Sequence, residues 1–270
     1  MKNDHAEDLV SLSNAILESP KYGQIDSGLI SHIGLLELKK GRKLKDAIKA
    51  TKNKLHQIGG AYITNDLPYE KWLAELGGLQ PKSAAFKNHC REIMTNHAST
   101  KERLSILDEY YSEIFADLPP IKSILDLACG LNPLAAAWMP LTADTIYYAC
   151  DIYYDLMFFV GKYLEMMPFQ SHIGVCDVLS RPPTQKVDLA LVQKTIPCLE
   201  QVNKQAGEIL LENIQADYYL ITFPAQSLGG KDKGMMKNYE ERFKKIAEGK
   251  QWEIKKYVFK TELAFLAKAT

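Results

Sequence analysis

Three aspartates, Asp126, Asp151 and Asp177, fall at the ends of successive short apolar runs, and this repeated placement is the first sign of chemistry in the chain. The first run continues Asp126-Leu-Ala-Cys-Gly130-Leu-Asn-Pro133, where a small residue at 128 and a glycine at 130 let the backbone approach a ligand closely. Asp151 ends the second run, where a carboxylate can accept hydrogen bonds from both hydroxyls of a ribose. Asp177-Val178 ends the third and suits an adenine, with a polar atom for the exocyclic amine and an apolar side chain for the ring face. One such aspartate would be an ordinary turn residue; three in succession point to a shared ligand. The Gly-x-Gly-x-x-Gly fingerprint of dinucleotide sites is absent. A sulfonium cofactor without phosphates does not need a glycine-rich helix start, so the set favours S-adenosylmethionine.

Further candidates surround these acids. Asn96-His97-Ala-Ser-Thr-Lys-Glu-Arg103 lies where helical patterning gives way to strands. On spacing alone Ser99 or Thr100 reads as the cap of the following helix. Arg103 has the alternative role of pairing with the cofactor's methionine carboxylate, which its guanidinium fork would fit. His97 alone reads more readily as a core histidine than as a catalytic group. Lys194, in Lys194-Thr-Ile-Pro197 after the fourth apolar run, lies where a target base would enter, and reads equally as a surface lysine.

The elements that must position these residues divide into two stretches. Up to about Asp117 the apolar spacing is helical: Leu9 to Leu17, Ile30 to Leu38, Leu44 to Leu55, Tyr69 to Leu76, Ser83 to Met94 and Lys101 to Phe115. Gly59-Gly60 interrupts the series and Pro119-Pro120 ends it. Strand-like runs follow at Ser123–Leu127, Thr145–Cys150, His172–Cys176, Val187–Val192 and Tyr218–Phe223. Helical stretches at Tyr153–Met166 and Leu199–Ile214 separate them. This alternation predicts a doubly wound parallel sheet, and the closely spaced runs Trp252–Phe259 and Leu263–Ala267 add an antiparallel pair at one edge.

Composition narrows the class. A chain of 270 residues, 46% hydrophobic and with 33 basic against 33 acidic residues, is too apolar and too balanced for disorder. The five cysteines are dispersed, with no Cys-x-x-Cys pair, so neither a disulfide framework nor a metal site is expected and a reducing cytoplasm is. No apolar leader or membrane-length run is present. The positive charge is nonetheless concentrated: Lys39 to Lys54 holds eight basic residues and the single acid Asp46. Arg42, Lys45, Lys49 and Lys52 follow helical spacing on one face, and with Lys54 they form the footprint expected for a phosphate backbone. Lys231 and Lys233, in the glycine-rich stretch Ser227–Lys237, read as a second clamp on a large polyanion.

Together these residues make a recognisable set. The chain resembles the aminoglycoside-resistance 16S rRNA (guanine(1405)-N(7))-methyltransferases of antibiotic producers and of resistant pathogens. The resemblance rests on Lys54-Leu-His-Gln57 with Gly60-Ala-Tyr62, on His97–Arg103 and Leu125–Pro133, and on Lys194-Thr-Ile-Pro-Cys-Leu-Glu200 and Phe223–Met235. It implies a class I S-adenosylmethionine-dependent methyltransferase fold: a Rossmann-like α/β domain with a mostly parallel seven-stranded sheet over 118–270, behind an all-α rRNA-docking domain over 1–117. It implies cofactor contacts at Tyr62, His97, Ala98, Ser99, Arg103, Ala128, Gly130, Asp151, Asp177, Val178 and Gln193. The implied partner is 16S rRNA in the assembled 30S subunit, met by a cytoplasmic monomer, with resistance to gentamicin- and kanamycin-type drugs as the outcome. Many relatives have Gly-Cys-Gly where this chain has Ala128-Cys-Gly130. Methylation of another rRNA base, or a non-catalytic rRNA-binding role, are the competing readings.

Overall fold

The structure, a computed structural model, describes residues 5–63, 66–225 and 234–270. Its centre is one seven-stranded sheet: β1 (Ser123–Leu127), β2 (Ile146–Asp151), β3 (Gln170–Val175), β4 (Lys186–Gln193), β5 (Gln215–Pro224), β6 (Trp252–Val258) and β7 (Glu262–Ala269). The spatial order is β3-β2-β1-β4-β5-β7-β6. All neighbours from β3 to β5 are parallel, while β7 runs antiparallel between β5 and β6. The central strands are buried on both faces, which is why they read as unbroken apolar runs. Edge strand β6 carries Lys255 and Lys256 and is largely exposed, the usual protection of a sheet edge.

Eleven α-helices surround the sheet among the described residues: α1 (Ala6–Leu17), α2 (Ser27–Leu38), α3 (Leu44–Leu55), α4 (Tyr69–Gly77), α5 (Ala84–Met94), α6 (Ala98–Arg103), α7 (Leu107–Ala116), α8 (Tyr154–Leu164), α9 (Thr195–Leu199), α10 (Ala206–Asn213) and α11 (Met235–Ala247). The period-two alternation of the strands sorts the core into two layers. Ile124, Tyr147, Leu189 and Leu191 face α4, α5, α7 and α8. Leu125, Ala190, Val192 and Phe223 face α9, α10 and α11. Helices α1–α3 hold a third core of their own around Leu12, Ile30, Ile33 and Leu55. The expected boundary at residue 117 therefore separates helices from strands but does not separate cores. Helices α4, α5 and α7 are the cover of the sheet, and only α1–α3 pack as a distinct bundle.

Two expected helices are divided. Lys101 to Phe115 is α6, a 3-10 turn at Leu104–Ile106 and α7, because Ile106 leaves helical geometry at φ −120° and ψ 5°. Leu199 to Ile214 is the end of α9, a loop and α10. The expected cap is also displaced. Ser99 and Thr100 lie inside α6, His97 occupies the N-cap, and the Thr100 hydroxyl donates back to Met94 O at 2.7 Å.

Asp126, expected at the end of a strand, has another place. It lies within β1 on the face covered by α4, α5, α7 and α8, buried, accepting from Tyr147 Oη at 2.7 Å and Asn132 Nδ2 at 2.8 Å. Burial pushes its carboxyl up from 3.8 to about 7, against the lowering effect of those two donors. A carboxyl raised on folding contributes its full stability below its unfolded value and loses it as pH rises through the folded value. Asp126→Asn is therefore expected to flatten the decline in stability between about pH 4 and pH 8. Urea denaturation across that range measures it, and a profile parallel to the parent protein would show the group to be ionised throughout.

Candidate active site

The order of strands reverses between β1 and β4, and a cleft of about 820 Å³, open solvent at its mouth included, lies beyond their carboxyl ends. This is where an open α/β sheet binds ligands. Of the residues expected to hold a cofactor, Tyr62, His97, Ser99, Ala128, Asp151, Asp177, Val178 and Gln193 line it. Lys194 lines it as well. Ala98, Arg103 and Gly130 do not. Ala98 donates its backbone N–H to Tyr62 O at 2.8 Å, and Gly130 donates its own to Asp151 Oδ2 at 2.8 Å.

The loop after β1 is the most constrained part of the site. Ala128 and Gly130 both have left-handed backbone, at φ +48° and +52°. A Cβ on Gly130 would lie 2.6 Å from His97 Nε2, so both conformation and contact require glycine there. Asp151 is buried beside this loop, with Oδ1 accepting from Ile152 N at 2.6 Å. Its carboxyl is raised by burial, while the Gly130 and Ile152 N–H groups oppose the rise. Asp177 is also buried, with Oδ1 accepting from Leu179 N at 3.0 Å and Oδ2 from Ser180 Oγ at 2.7 Å.

His97 departs from the expectation of a hydrogen-bonded core histidine. Burial first, then the charges of Lys194 and Arg103, hold its ring down at about 4, so it is neutral at physiological pH. Its Nδ1 is buried without a partner among the described residues, as is Gln193 Oε1. Both residues line the cleft, and polar atoms left open in this way suit a site that a polar ligand completes.

Arg103 and Lys194 take places that the spacing did not foretell. Arg103 is fully buried and its fork closes on Glu262, with Nε at 3.0 Å from Oε2 and Nη2 at 2.7 Å from Oε1. Nη1 donates to Asn132 Oδ1 at 2.7 Å. The guanidinium thus already has a carboxylate, on β7, and Arg103 is not among the residues that line the cleft. Lys194 is not a surface lysine. It is 6% exposed, follows β4 in left-handed backbone at φ +56°, and its Nζ lies 2.8 Å from Glu102 Oε2, 3.2 Å from Ser99 O and 3.4 Å from Glu262 Oε2. Burial works to raise the Glu262 carboxyl, but Arg103 and Lys194 outweigh it and hold it below the ordinary glutamate range. Sequence reasoning passed over Glu262; a lone acid opening the apolar run of β7 was its only signal. It also passed over the apolar wall from Leu29, Ile58, Leu179, Leu199 and Val202.

The basic stretch is partly redistributed. Lys45 and Lys49 are exposed on α3 and Lys52 is half-buried. Arg42 precedes the helix instead of sharing its face, and it pairs with Glu37 at 2.8 Å. Lys54 turns inward to donate to Gln201 O at 2.6 Å, tying the bundle to the loop after α9. Lys231 and Lys233 lie outside the described residues.

The strand order and the position of the cleft define a class I methyltransferase. The chain belongs to the ribosomal RNA methyltransferase (FmrO) family, which matches residues 18–266. It is 34% identical to a 16S rRNA (guanine(1405)-N(7))-methyltransferase of Micromonospora rosea over 94% of both chains. A protein of the same description from Serratia marcescens is 32% identical over 94% of this chain and 96% of its own. The fold is similar to a crystal structure of the 16S rRNA methyltransferase RmtF in complex with S-adenosyl-L-homocysteine, with TM-score 0.80 and 29% identity over 98% and 99% of the two chains. It is likewise similar to the 16S rRNA methylase RmtB, with TM-score 0.78 and 28% identity over 97% and 98%.

Two outcomes test this arrangement. Ala128→Gly relieves a left-handed alanine and is expected to raise unfolding stability by about 1 kcal/mol, read from the urea midpoint at constant slope. Glu262→Ala leaves the buried Arg103 guanidinium without its carboxylate and is expected to cost about 3–5 kcal/mol. A loss below about 1 kcal/mol in the same assay would mean that the Arg103–Glu262 pair behaves like an exposed one.

Proposed function

We propose that this chain transfers a methyl group from S-adenosylmethionine to N7 of guanine 1405 in the 16S rRNA of the assembled 30S subunit, in the cytoplasm and as a monomer. The result would be resistance to aminoglycosides of the gentamicin and kanamycin type. The observation that carries this reading is the cleft at the β1–β4 switch point, with Asp151 and Asp177 on its lining, in a chain of the ribosomal RNA methyltransferase family.

The residues present fit the cofactor. Asp151 would take the ribose hydroxyls, Asp177 and Val178 the adenine, and Ser99, Gln193 and the loop at Ala128 the amino-acid end. The apolar wall of Leu29, Ile58 and Leu199 would exclude water from the ring faces. Bound there, S-adenosylmethionine supplies an electrophilic methyl group on a sulfonium. Guanine N7 carries a lone pair and no proton, so the chain needs no general base. Its contribution is placement of the base in line with that methyl group. Lys194 stands at the cleft with its ammonium held by Glu102, ready to exchange that partner for guanine O6 or a neighbouring phosphate. Lys45, Lys49 and Lys52 would hold the rRNA backbone, with Lys231 and Lys233 as a second clamp.

Mapping of 16S rRNA from a host expressing the chain is expected to show N7-methylguanine at 1405, and modification at another base would overturn the target. Lys194→Ala is expected to lower the single-turnover rate on 30S subunits by about tenfold or more while filter binding of 30S stays unchanged. Unchanged turnover would remove Lys194 from the reaction.

A further inference from the structure

Helix α2 belongs to the bundle that carries the basic face, yet it reaches Asp177 on the cleft lining, and the residues that lead into it pair with the segment after Asp151. Its N-cap Asp26 accepts from Leu29 N at 3.2 Å and from Arg181 Nη2 at 2.6 Å, which fastens the helix to the loop after β3. Just before it, Asp26 N donates to Ile152 O and Tyr154 N donates to Gln24 O, both at 2.8 Å. The residues directly beyond Asp151 are thus held by backbone pairing with the bundle, centred on the Ile25–Tyr153 bridge. One turn into α2, Leu29 enters the cleft lining. Three residues further, His32 Nδ1 stands 3.1 Å from Asp177 Oδ2. A carboxylate only accepts, so Nδ1 carries the proton of this bond.

We propose that His32 is a positioning residue for Asp177, so that the α1–α3 bundle forms part of the cofactor site as well as the docking surface. The inference rests on the assignment of Asp177 to the adenine. An ionised carboxylate offers about four lone-pair directions. Leu179 N, Ser180 Oγ and His32 Nδ1 occupy three of them, leaving one for a ligand donor. Leu179 and Ser180 belong to the same loop as Asp177 and move with it. His32 is the contact from outside that loop, so it fixes the free direction relative to Leu29 and the rest of the cleft wall. Loss of the bond leaves the carboxylate oriented by Leu179 and Ser180 alone and weakens recognition of the adenine amine without touching the basic face.

Calorimetric titration of the full chain with S-adenosylhomocysteine tests this, using the parent protein, Asp177→Asn, His32→Ala and His32→Asn, with thermal melts and 30S filter binding alongside. Asp177→Asn reports on the underlying assignment: it is expected to lose affinity, and parent-like binding would overturn the placement of the adenine. His32→Ala is expected to bind roughly tenfold more weakly, with 30S affinity and melting unchanged. His32→Asn places an amide donor where Nδ1 stood and is expected to recover most of the loss. Parent-like affinity in His32→Ala, with Asp177→Asn impaired, would overturn the role of His32. Equal losses in the two His32 variants would do the same, since the imidazole would then matter only as packing.

Discussion

Glu262 opens β7 with no exposure to water, where a carboxylate without counter-charge would be destabilising by several kcal/mol. Its two partners come from segments far apart in the chain: Arg103 closes α6 in the helical region, and Lys194 follows β4. One buried acid therefore fixes both the seating of α6 on the sheet and the backbone turn at the mouth of the cleft. The bonding continues inward. Arg103 Nη1 and the Tyr111 hydroxyl both donate to Asn132 Oδ1, and Asn132 Nδ2 donates to Asp126 within β1. The loop between β1 and that asparagine carries Ala128 and Gly130, so its unusual backbone is held from below by the same network.

This connectivity explains why acids that look alike in the sequence differ in the structure. Asp126 joins the buried network, where burial pushes its carboxyl up to about 7, while Asp151 and Asp177 remain at the cleft. The distinction is position along the strand. Asp126 sits within β1, facing the layer of α4, α5, α7 and α8, whereas Asp151 ends its strand and Asp177 lies just past one. Each of the latter two already has donors from neighbouring backbone, which orients it and leaves part of its accepting capacity open.

The sheet was legible because central parallel strands must be apolar on both faces and each ends at a turn. All seven strands appear near their expected positions, and the antiparallel pair lies at the expected edge. Residues of the cleft that lie on or beside strand ends were legible for the same reason: Ala128, Asp151 and Asp177 follow from where the strands stop, whereas Gln193 came from the family resemblance. What escaped depends on contacts between distant segments. Glu262, the bond from His32, and the inward turn of Lys194 are set by tertiary packing, and no local spacing encodes them. Arg103 shows the limit most clearly. Its type suits a carboxylate, and it has one, but the partner lies 159 positions along the chain. The division of the long helix before β1 escaped too, since Leu104, Ile106 and Leu107 keep an apolar pattern through the 3-10 turn.

The neutral net charge and the basic helix are compatible once their geometry is considered. Association with a polyanion depends on where positive charge is exposed, not on its sum. Lys45 and Lys49 project from α3, while the inward lysine of the same stretch, Lys54, binds the loop after α9. Helix α3 then runs directly into a π-helical turn at His56–Gly60, whose Ile58 and Gly59 line the cleft. A Cβ at Gly59 would meet the Tyr153 hydroxyl at 2.6 Å, so the turn lies tight against the segment that follows Asp151. A π turn is a costly departure from regular helix and is most often kept at functional sites. Here it lets one continuous segment present cations to solvent at one end and close a wall of the cleft at the other.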